Sequence, residues 1–183
     1  MAIEGDSISV SGSTMYPNLF IASRPSVTPC YLAVGGSNII TMTGRIGGVR
    51  TCNGEVVTVL IGANDTLNYP SAQAWANALW AYTDKLRAEG YKVAVGTVLP
   101  RIAGAPTNQA PFNARRVEQN KLIRAALGTH IDAVIDYAAD PRIGDDADAL
   151  DQTLFPDGLH PSAKGHAIMA EIYGPVVDRL LAR

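Results

Sequence analysis

The sequence predicts an α/β fold, a three-layer α/β/α sandwich in which helices cover both faces of a five-stranded parallel sheet. One observation is that short apolar runs alternate regularly with amphipathic helical stretches along the chain. Another is that 183 residues, 47% hydrophobic and 17% charged, suit one globular domain with a continuous core. Alternating strands and helices imply parallel strands joined by right-handed crossovers. We therefore expect a single domain over residues 1–183.

The predicted elements follow one another without internal repeats. In the third helix, apolar residues recur at spacings of three or four, which predicts a face packed on the sheet; these are Trp75, Leu79, Tyr82 and Leu86. The predicted strands cover residues 2–4, 31–34, 56–61, 92–98 and 133–135. The predicted helices cover residues 13–22, 39–46, 71–89, 112–127 and 161–181.

Composition excludes several classes of partner. The formal net charge is −2 and Lys and Arg are scattered, so the basic cluster of a nucleic-acid or anionic-membrane binder is missing. No apolar run reaches the length of a membrane span, and no signal peptide precedes the first predicted strand. The sequence as written therefore predicts a soluble, cytoplasmic protein, although so abrupt a start leaves open a domain excised from a longer or secreted chain. Its oligomeric state is left open.

Two motifs near the ends of the chain carry side chains that nucleophilic catalysis uses. Ser7 follows Gly5 and Asp6 directly after the first predicted strand. Asp157 and His160 lie three residues apart just before the last predicted helix. A neutral imidazole can take a serine proton while a carboxylate fixes its tautomer. Taken singly, each motif is also explained by turn formation or helix capping.

Two further motifs follow the second and third predicted strands. Gly35 and Gly36 follow the second, where paired glycines also suit a tight turn. Asn64 and Asp65 follow the third, where they are ordinary turn residues. Because the carboxyl ends of parallel strands meet at one edge of a sheet, all these motifs converge on the same rim. That convergence predicts an active site there.

The motifs Gly-Asp-Ser, Gly, Gly-x-Asn-Asp and Asp-x-x-His, in that order and spread across the whole chain, resemble those of the SGNH (GDSL-like) hydrolases. The resemblance implies a flavodoxin-like sandwich with strand order 2-1-3-4-5. It also implies that Ser7 is the nucleophile, that His160 is the general base and that Asp157 orients this base.

The same resemblance implies an oxyanion hole. Its donors would be the backbone N–H groups of Ser7 and Gly36 and the side-chain amide of Asn64. The family's Gly-x-Ser-Gly pattern fits Gly36 better than Gly35, with the assignment open by one residue. Gly35 itself stands where the family usually has Ser. Residues 97–101, after the fourth strand, also resemble the family without a fixed catalytic role.

The expected activity is hydrolysis of carboxylic esters without a metal or organic cofactor. Short polar loops, including those predicted at residues 101–111 and 140–157 beside the site, favour small acyl groups, with acetyl esters on a carbohydrate as the leading class. A thioesterase or lysophospholipase of the same mechanism stays open, as does a non-catalytic carbohydrate-binding or assembly module. The α/β-hydrolase fold fits poorly because its nucleophile elbow needs Gly where Ser9 stands. A nucleotide or flavin site lacks a phosphate-cradling glycine pattern.

The remaining cysteines and histidines are assigned outside the site. With the second and third strands flanking the first, Cys30 and Cys52 start about 10 Å apart, beyond the reach of a disulfide unless the preceding loops converge. We therefore expect free thiols, and no Cys/His spacing predicts a zinc site. His166 lies inside the last helix and His130 precedes the fifth strand, and both are expected to be structural or solvated.

Overall fold

A computed structural model of the chain describes residues 1–102 and 109–182. Within these residues, five parallel strands form one sheet in the order β2-β1-β3-β4-β5. The predicted fold class and strand order are thereby confirmed. The strands are β1 Ala2–Gly5, β2 Cys30–Tyr31, β3 Val56–Leu60, β4 Lys92–Gly96 and β5 Ala133–Ile135.

Helices cover both faces of this sheet. The first and last helices pack against each other on one face, and the other three lie on the opposite face. Short 3-10 helices lie in the connection between α2 and β3, at Ile46–Thr51, and in the connection between β5 and α5, at Tyr137–Ala139 and Asp146–Leu150. The α-helices are α1 Tyr16–Ala22, α2 Ile39–Gly44, α3 Ala72–Ala88, α4 Gln109–Ala125 and α5 Ala163–Leu181.

Two apolar cores follow from the alternation of side chains along the strands. In β3, Val57 and Val59 point into the core beneath α3, whereas Val56 and Leu60 point into the core beneath α5. The helix stripe predicted from the sequence lies fully buried against the first of these faces, with Trp75 among its members. Because both faces are covered, β1 and β3 are buried along their whole length.

Several predicted boundaries shift because other groups take over the backbone hydrogen bonds. β4 ends at Gly96 and not at Val98, since the N–H of Val98 donates to Oδ1 of Asn120 at 2.8 Å while Nδ2 of Asn120 donates back to the carbonyl of Val98 at 3.0 Å. α5 begins later than predicted. Ser162 is its N-cap and accepts a hydrogen bond from the N–H of Gly165, so Pro161 lies before the helix.

The prediction of free thiols is wrong, because Cys30 and Cys52 form a disulfide with their Cα atoms 5.8 Å apart. β2 and β3 do flank β1, but Cys52 lies in the connection before β3, and this connection crosses the amino end of β1. The Met1 amino group donates to the carbonyls of Thr28 and Asn53 at 2.9 and 3.4 Å. The loops before β2 and β3 therefore converge over the start of β1, which closes the distance that the strands alone would leave.

Removing this disulfide is expected to destabilise the fold without abolishing the chemistry at the opposite end of the sheet. A Cys30→Ala/Cys52→Ala variant should lose about 2–4 kcal/mol of unfolding free energy, because the unfolded chain gains entropy when the loop is opened. Urea denaturation with and without reductant measures it. Reductant should lower the midpoint of the wild type and leave the variant unchanged; equal midpoints in all four conditions would contradict the expectation.

Neither a membrane span nor a clustered metal site occurs in the part of the chain that the structure describes. Over residues 1–102 and 109–182, no helix has the length and apolar character needed to cross a bilayer. In the same residues, no group of three or more His, Cys, Asp or Glu side chains could hold a metal ion.

Candidate active site

Ser7 lies at the corner of a tight turn that follows β1. The N–H of Ile8 donates to Oδ1 of Asp6 at 3.0 Å, and the N–H of Ser9 donates to the Asp6 carbonyl at 3.1 Å. Asp6 is buried, and this burial raises its pKa to about 6. The local motif Gly-Asp-Ser thus folds as an aspartate-stabilised turn that leaves the Ser7 hydroxyl accessible at the carboxyl end of the sheet.

His160 reaches this hydroxyl from the loop before α5. Its Nε2 lies 2.8 Å from Oγ of Ser7, across 153 positions in sequence. Its other ring nitrogen, Nδ1, lies 2.6 Å from Oδ2 of Asp157. With Nδ1 protonated and donating to the carboxylate, Nε2 is left as the acceptor for the serine proton. The hydroxyl, imidazole and carboxylate therefore form one continuous hydrogen-bonded chain.

Asp157 is held by the backbone of its own loop. Its Oδ1 accepts the N–H groups of Leu159 and His160 at 2.9 and 2.7 Å. Gly158 makes this tight loop possible with φ 73°, a conformation that side-chain-bearing residues rarely adopt. Desolvation raises the pKa of Asp157, but the hydrogen bonds from the His160 ring and from the two N–H groups outweigh it and lower the pKa to about 2. The carboxylate is therefore charged at neutral pH.

The paired glycines form the corner of a turn over residues 34–37, closed by the N–H of Ser37 donating to the Val34 carbonyl at 3.1 Å. Gly36 has φ 74°, a conformation that favours glycine. A Cβ added to Gly35 would lie 3.9 Å from Cβ of Ser7, so this turn passes beside Ser7. Among the described residues no acceptor binds the backbone N–H groups of Ser7, Gly35 or Gly36.

Asn64 and Asp65 attach this turn to the end of β3. Nδ2 of Asn64 donates to the Ser37 carbonyl at 2.9 Å, which uses one of its two N–H groups and leaves the other available. Asp65 is buried, and its carboxylate accepts the N–H of Ile39 at 2.7 Å and Nε1 of Trp75 at 3.1 Å. Burial raises the pKa of Asp65, and the two donors oppose that effect. Asn64 and Asp65 therefore hold the glycine turn at residues 34–37 in position.

Side chains of α4 hold the segment after β4 in place, a role that the sequence motifs did not indicate. Asn113 accepts the N–H of Arg101 and donates to its carbonyl, both at 3.3 Å. Asn120 binds Val98, two residues after the end of β4, in the same two-way manner. The Arg101 guanidinium donates to the Ala63 carbonyl next to Asn64. A sequence signal existed, because these amides and Arg116 recur at spacings of three and four, which places them on one face of a helix.

The two polar loops expected beside the site have different outcomes. Residues 103–108 of the first lie outside the described residues. At its start, however, the N–H of Ile102 donates to the Gly158 carbonyl at 2.8 Å, which joins it to the histidine loop. In the second, Asp146 forms an ion pair with the buried Arg116. These contacts tie both loops to the rim that carries Ser7.

The other histidines lie apart from the hydroxyl-imidazole pair. His166 is buried in α5, where its ring stacks on Tyr16 and Nδ1 accepts the Tyr16 N–H at 3.4 Å. Burial, with a smaller effect from the charge of His160, lowers the pKa of His166 to about 4. The Tyr16 hydroxyl in turn lies 2.9 Å from Oγ of Ser9, which supports the turn that carries Ser7. His130 lies near the start of β5, stacked on Trp80.

The assembled groups are those needed for acyl transfer by a serine. A hydroxyl contacts an imidazole whose far nitrogen binds a charged carboxylate, and uncommitted N–H donors lie next to that hydroxyl. Such donors can stabilise the negative oxygen that forms when a nucleophile adds to a carbonyl. This geometry depends on four segments that are far apart in sequence.

Comparison with known proteins adds independent observations. Residues 4–168 match the sequence model of the GDSL-like lipase/acylhydrolase family. Among curated proteins, none matches the chain in sequence. A lipolytic G-D-S-L family protein from Veillonella parvula shares its fold with a TM-score of 0.78 and 22% identity, covering 98% of each chain.

Two solved esterases also share the fold. The psychrotrophic esterase EstA from Pseudoalteromonas sp., in a structure inhibited by monoethylphosphonate, has a TM-score of 0.74 and 15% identity over 100% of this chain and 98% of its own. The acetylxylan esterase Axe2 from Geobacillus stearothermophilus has a TM-score of 0.67 and 18% identity over 94% of this chain and 90% of its own. At these identities the likeness concerns the fold.

Proposed function

Because the chain belongs to the GDSL-like lipase/acylhydrolase family, we propose that it is a serine esterase that hydrolyses carboxylic esters with short acyl groups, acetyl esters of carbohydrates in particular. The observation that carries this proposal is the hydrogen-bonded chain from Ser7 through His160 to Asp157. A module that only binds carbohydrate needs no such chain, nor uncommitted N–H donors beside a hydroxyl.

The first half of the reaction acylates Ser7. Nε2 of His160 takes the hydroxyl proton while Oγ adds to the ester carbonyl carbon, and the carbonyl electron pair moves to its oxygen. Asp157, charged because of its lowered pKa of about 2, stabilises the imidazolium that forms. The tetrahedral intermediate then expels the alkoxide, which receives the proton from Nε2 and leaves as the alcohol.

The negative oxygen of that intermediate needs hydrogen-bond donors in place before the reaction. We assign this role to the backbone N–H groups of Ser7 and Gly36 and to the second N–H of the Asn64 amide. Gly36 is preferred over Gly35 because it fits the family's Gly-x-Ser-Gly pattern better, and its φ of 74° favours glycine at that position. The Ser37 carbonyl fixes the orientation of the Asn64 amide from one side.

The second half returns the enzyme to its starting state. Nε2 of His160 removes a proton from water, and the hydroxide oxygen adds to the acyl carbon attached to Ser7. Collapse of this second intermediate breaks the bond to Oγ, which regains the proton from the imidazolium. The products are one carboxylic acid and one alcohol per water consumed, so atoms and charges balance without a cofactor.

The preference for a short acyl group is supported by the pocket behind the nucleophile turn. A cavity of about 10 Å³ lies there, lined by apolar side chains that include Ile8, Leu99 and Leu159. A cavity of this size holds at most about one water-sized group, so it has no room for a long acyl chain. The fold shared with an acetylxylan esterase agrees with this choice of acyl group.

Labelling with a fluorophosphonate probe tests the proposal, because the probe reacts with activated serines. We expect one adduct by intact mass, mapped to the peptide that contains Ser7, and none after heat denaturation. p-Nitrophenyl esters of increasing acyl length should then rank acetate first. Folded protein that takes no label and hydrolyses no acetyl ester would favour the non-catalytic module instead.

A further inference from the structure

An open groove of about 490 Å³ begins beside the glycine turn at residues 34–37. One wall is the segment from Tyr31 to Val34, which leads into that turn, and the other is the segment from Gly44 to Gly48 at the end of α2. Val34 belongs to both the groove and the turn, and a Cβ added to its neighbour Gly35 would lie 3.9 Å from Cβ of Ser7, so the groove starts close to the Ser7 site. Its volume falls in the range of pockets that bind small ligands.

Two glycines in the far wall are not explained by the fold. Gly44 ends α2 and Gly47 lies in the following 3-10 helix, and neither has a positive φ. A Cβ added to either would meet no atom within 4 Å. Glycine inside helical segments costs about 0.5–1 kcal/mol relative to alanine, so the fold would be more stable with side chains at both positions. What the two glycines provide is an unobstructed groove.

Arg45 supplies hydrogen-bond donors between these glycines. Its guanidinium donates to Oγ of Ser37 at 3.0 Å and to the Thr41 carbonyl at 3.1 Å. Its other N–H groups find no acceptor within residues 1–102 and 109–182. The nearby carboxyl of Glu4 is fully buried, bonds to Tyr82 and does not line the groove. The groove therefore combines cationic donors with the aliphatic surface of Leu32 and Val34.

The small cavity and the groove differ in size and chemistry, so they suit different parts of the ester. The cavity of about 10 Å³ behind the turn that carries Ser7 is small and lined mainly by apolar side chains, which excludes a long acyl chain. The groove is far larger, open to solvent and provided with guanidinium donors, which suits a hydroxyl-rich group whose ends must extend into water. An acyl chain would gain nothing from the donors of Arg45.

We propose that this groove binds the alcohol portion of the ester, and that this portion is a carbohydrate longer than one sugar ring. The inference rests on the proposed esterase function and adds to it the location and chemistry of the leaving-group subsite.

Filling the groove at Gly47 tests the inference. A Gly47→Phe variant should lower kcat/KM for an acetylated xylo-oligosaccharide by at least about 10-fold, while kcat/KM for p-nitrophenyl acetate changes by less than about twofold. Gly47→Ala should lower kcat/KM for the oligosaccharide ester less than Gly47→Phe does, because one methyl group fills only a small part of the groove. Gln73→Phe, in a separate cavity of about 400 Å³ between α3 and α4, is the matched control.

A binding measurement separates failure of the groove from failure of the esterase. Calorimetry with the deacetylated xylo-oligosaccharide should detect binding to the wild type and to Gln73→Phe, and much weaker binding to Gly47→Phe. This measurement needs no turnover, so it is informative even if neither ester is hydrolysed. Absence of hydrolysis would contradict the esterase proposal and leave the binding groove to be judged by calorimetry. Equal binding by all three proteins, or a Gly47→Phe effect that depends on acyl length and not on the alcohol, would overturn the assignment of the groove.

Discussion

Ser7→Ala is expected to lower kcat/KM for an acetyl ester by on the order of 10⁴–10⁶-fold. The Ser7 hydroxyl lies 2.8 Å from Nε2 of His160, so its removal deletes the group that adds to the carbonyl and leaves the imidazole without a nucleophile to activate. Residual hydrolysis would come from water activated by His160 beside intact oxyanion donors. Initial rates with p-nitrophenyl acetate measure the loss.

The matched control is Ser13→Ala, which removes an exposed hydroxyl six residues further along the same connection. It should keep full activity, and both variants should unfold at the wild-type temperature, because neither hydroxyl is needed to hold the turn. If Ser7→Ala retained activity within about tenfold of the wild type, the assignment of the nucleophile would be wrong.

Asp157→Asn is expected to reduce kcat by about 10³–10⁴-fold through the wrong histidine tautomer. Oδ1 of Asp157 accepts two backbone N–H groups, so an asparagine would keep its carbonyl oxygen there and turn its NH₂ toward Nδ1 of His160. Nδ1 would then have to accept, which moves the ring proton to Nε2. A protonated Nε2 cannot take the proton of Ser7.

Asp157→Ala distinguishes this mechanism from a simple loss of charge. Alanine offers no donor to Nδ1, so the ring can still reach the productive tautomer, and the loss of kcat should be smaller than with asparagine. The wild-type carboxyl, with its pKa near 2, stays ionised as pH falls from neutral, so it should not set the acid limit of the pH profile. Equal losses for the two variants would contradict the tautomer argument.

The fold was predictable because its signals are local and periodic. The apolar stripe that includes Trp75 and Leu79 needs only a helix and a sheet to pack on, and alternating strands and helices leave few topologies. The predicted ends of the elements were less accurate. β4 stops at Gly96 because Asn120, more than twenty residues later, takes the backbone groups of Val98, and no property of residues 92–98 encodes that competition.

The candidate site likewise has a part that the sequence predicted and a part that it did not. The motifs around Ser7, Asn64 and His160 each fold through short-range contacts, and parallel strands bring their carboxyl ends to one edge, so their convergence followed from the sequence. The supports beneath them did not. The contact between Tyr16 and Ser9 and the clamp of Asn113 on Arg101 depend on which buried polar groups happen to meet once helices have packed.

By itself, therefore, the sequence determined the parallel α/β architecture, the family and the residues that meet at the rim, because hydrophobic periodicity and turn chemistry act between near neighbours. The tertiary structure alone decided the disulfide between Cys30 and Cys52 and the groove kept open at Gly47. Both depend on the paths of connecting loops across the edges of the sheet. Those paths are set by packing between residues far apart in the chain. The number of residues between two such positions does not tell how far apart they lie in space.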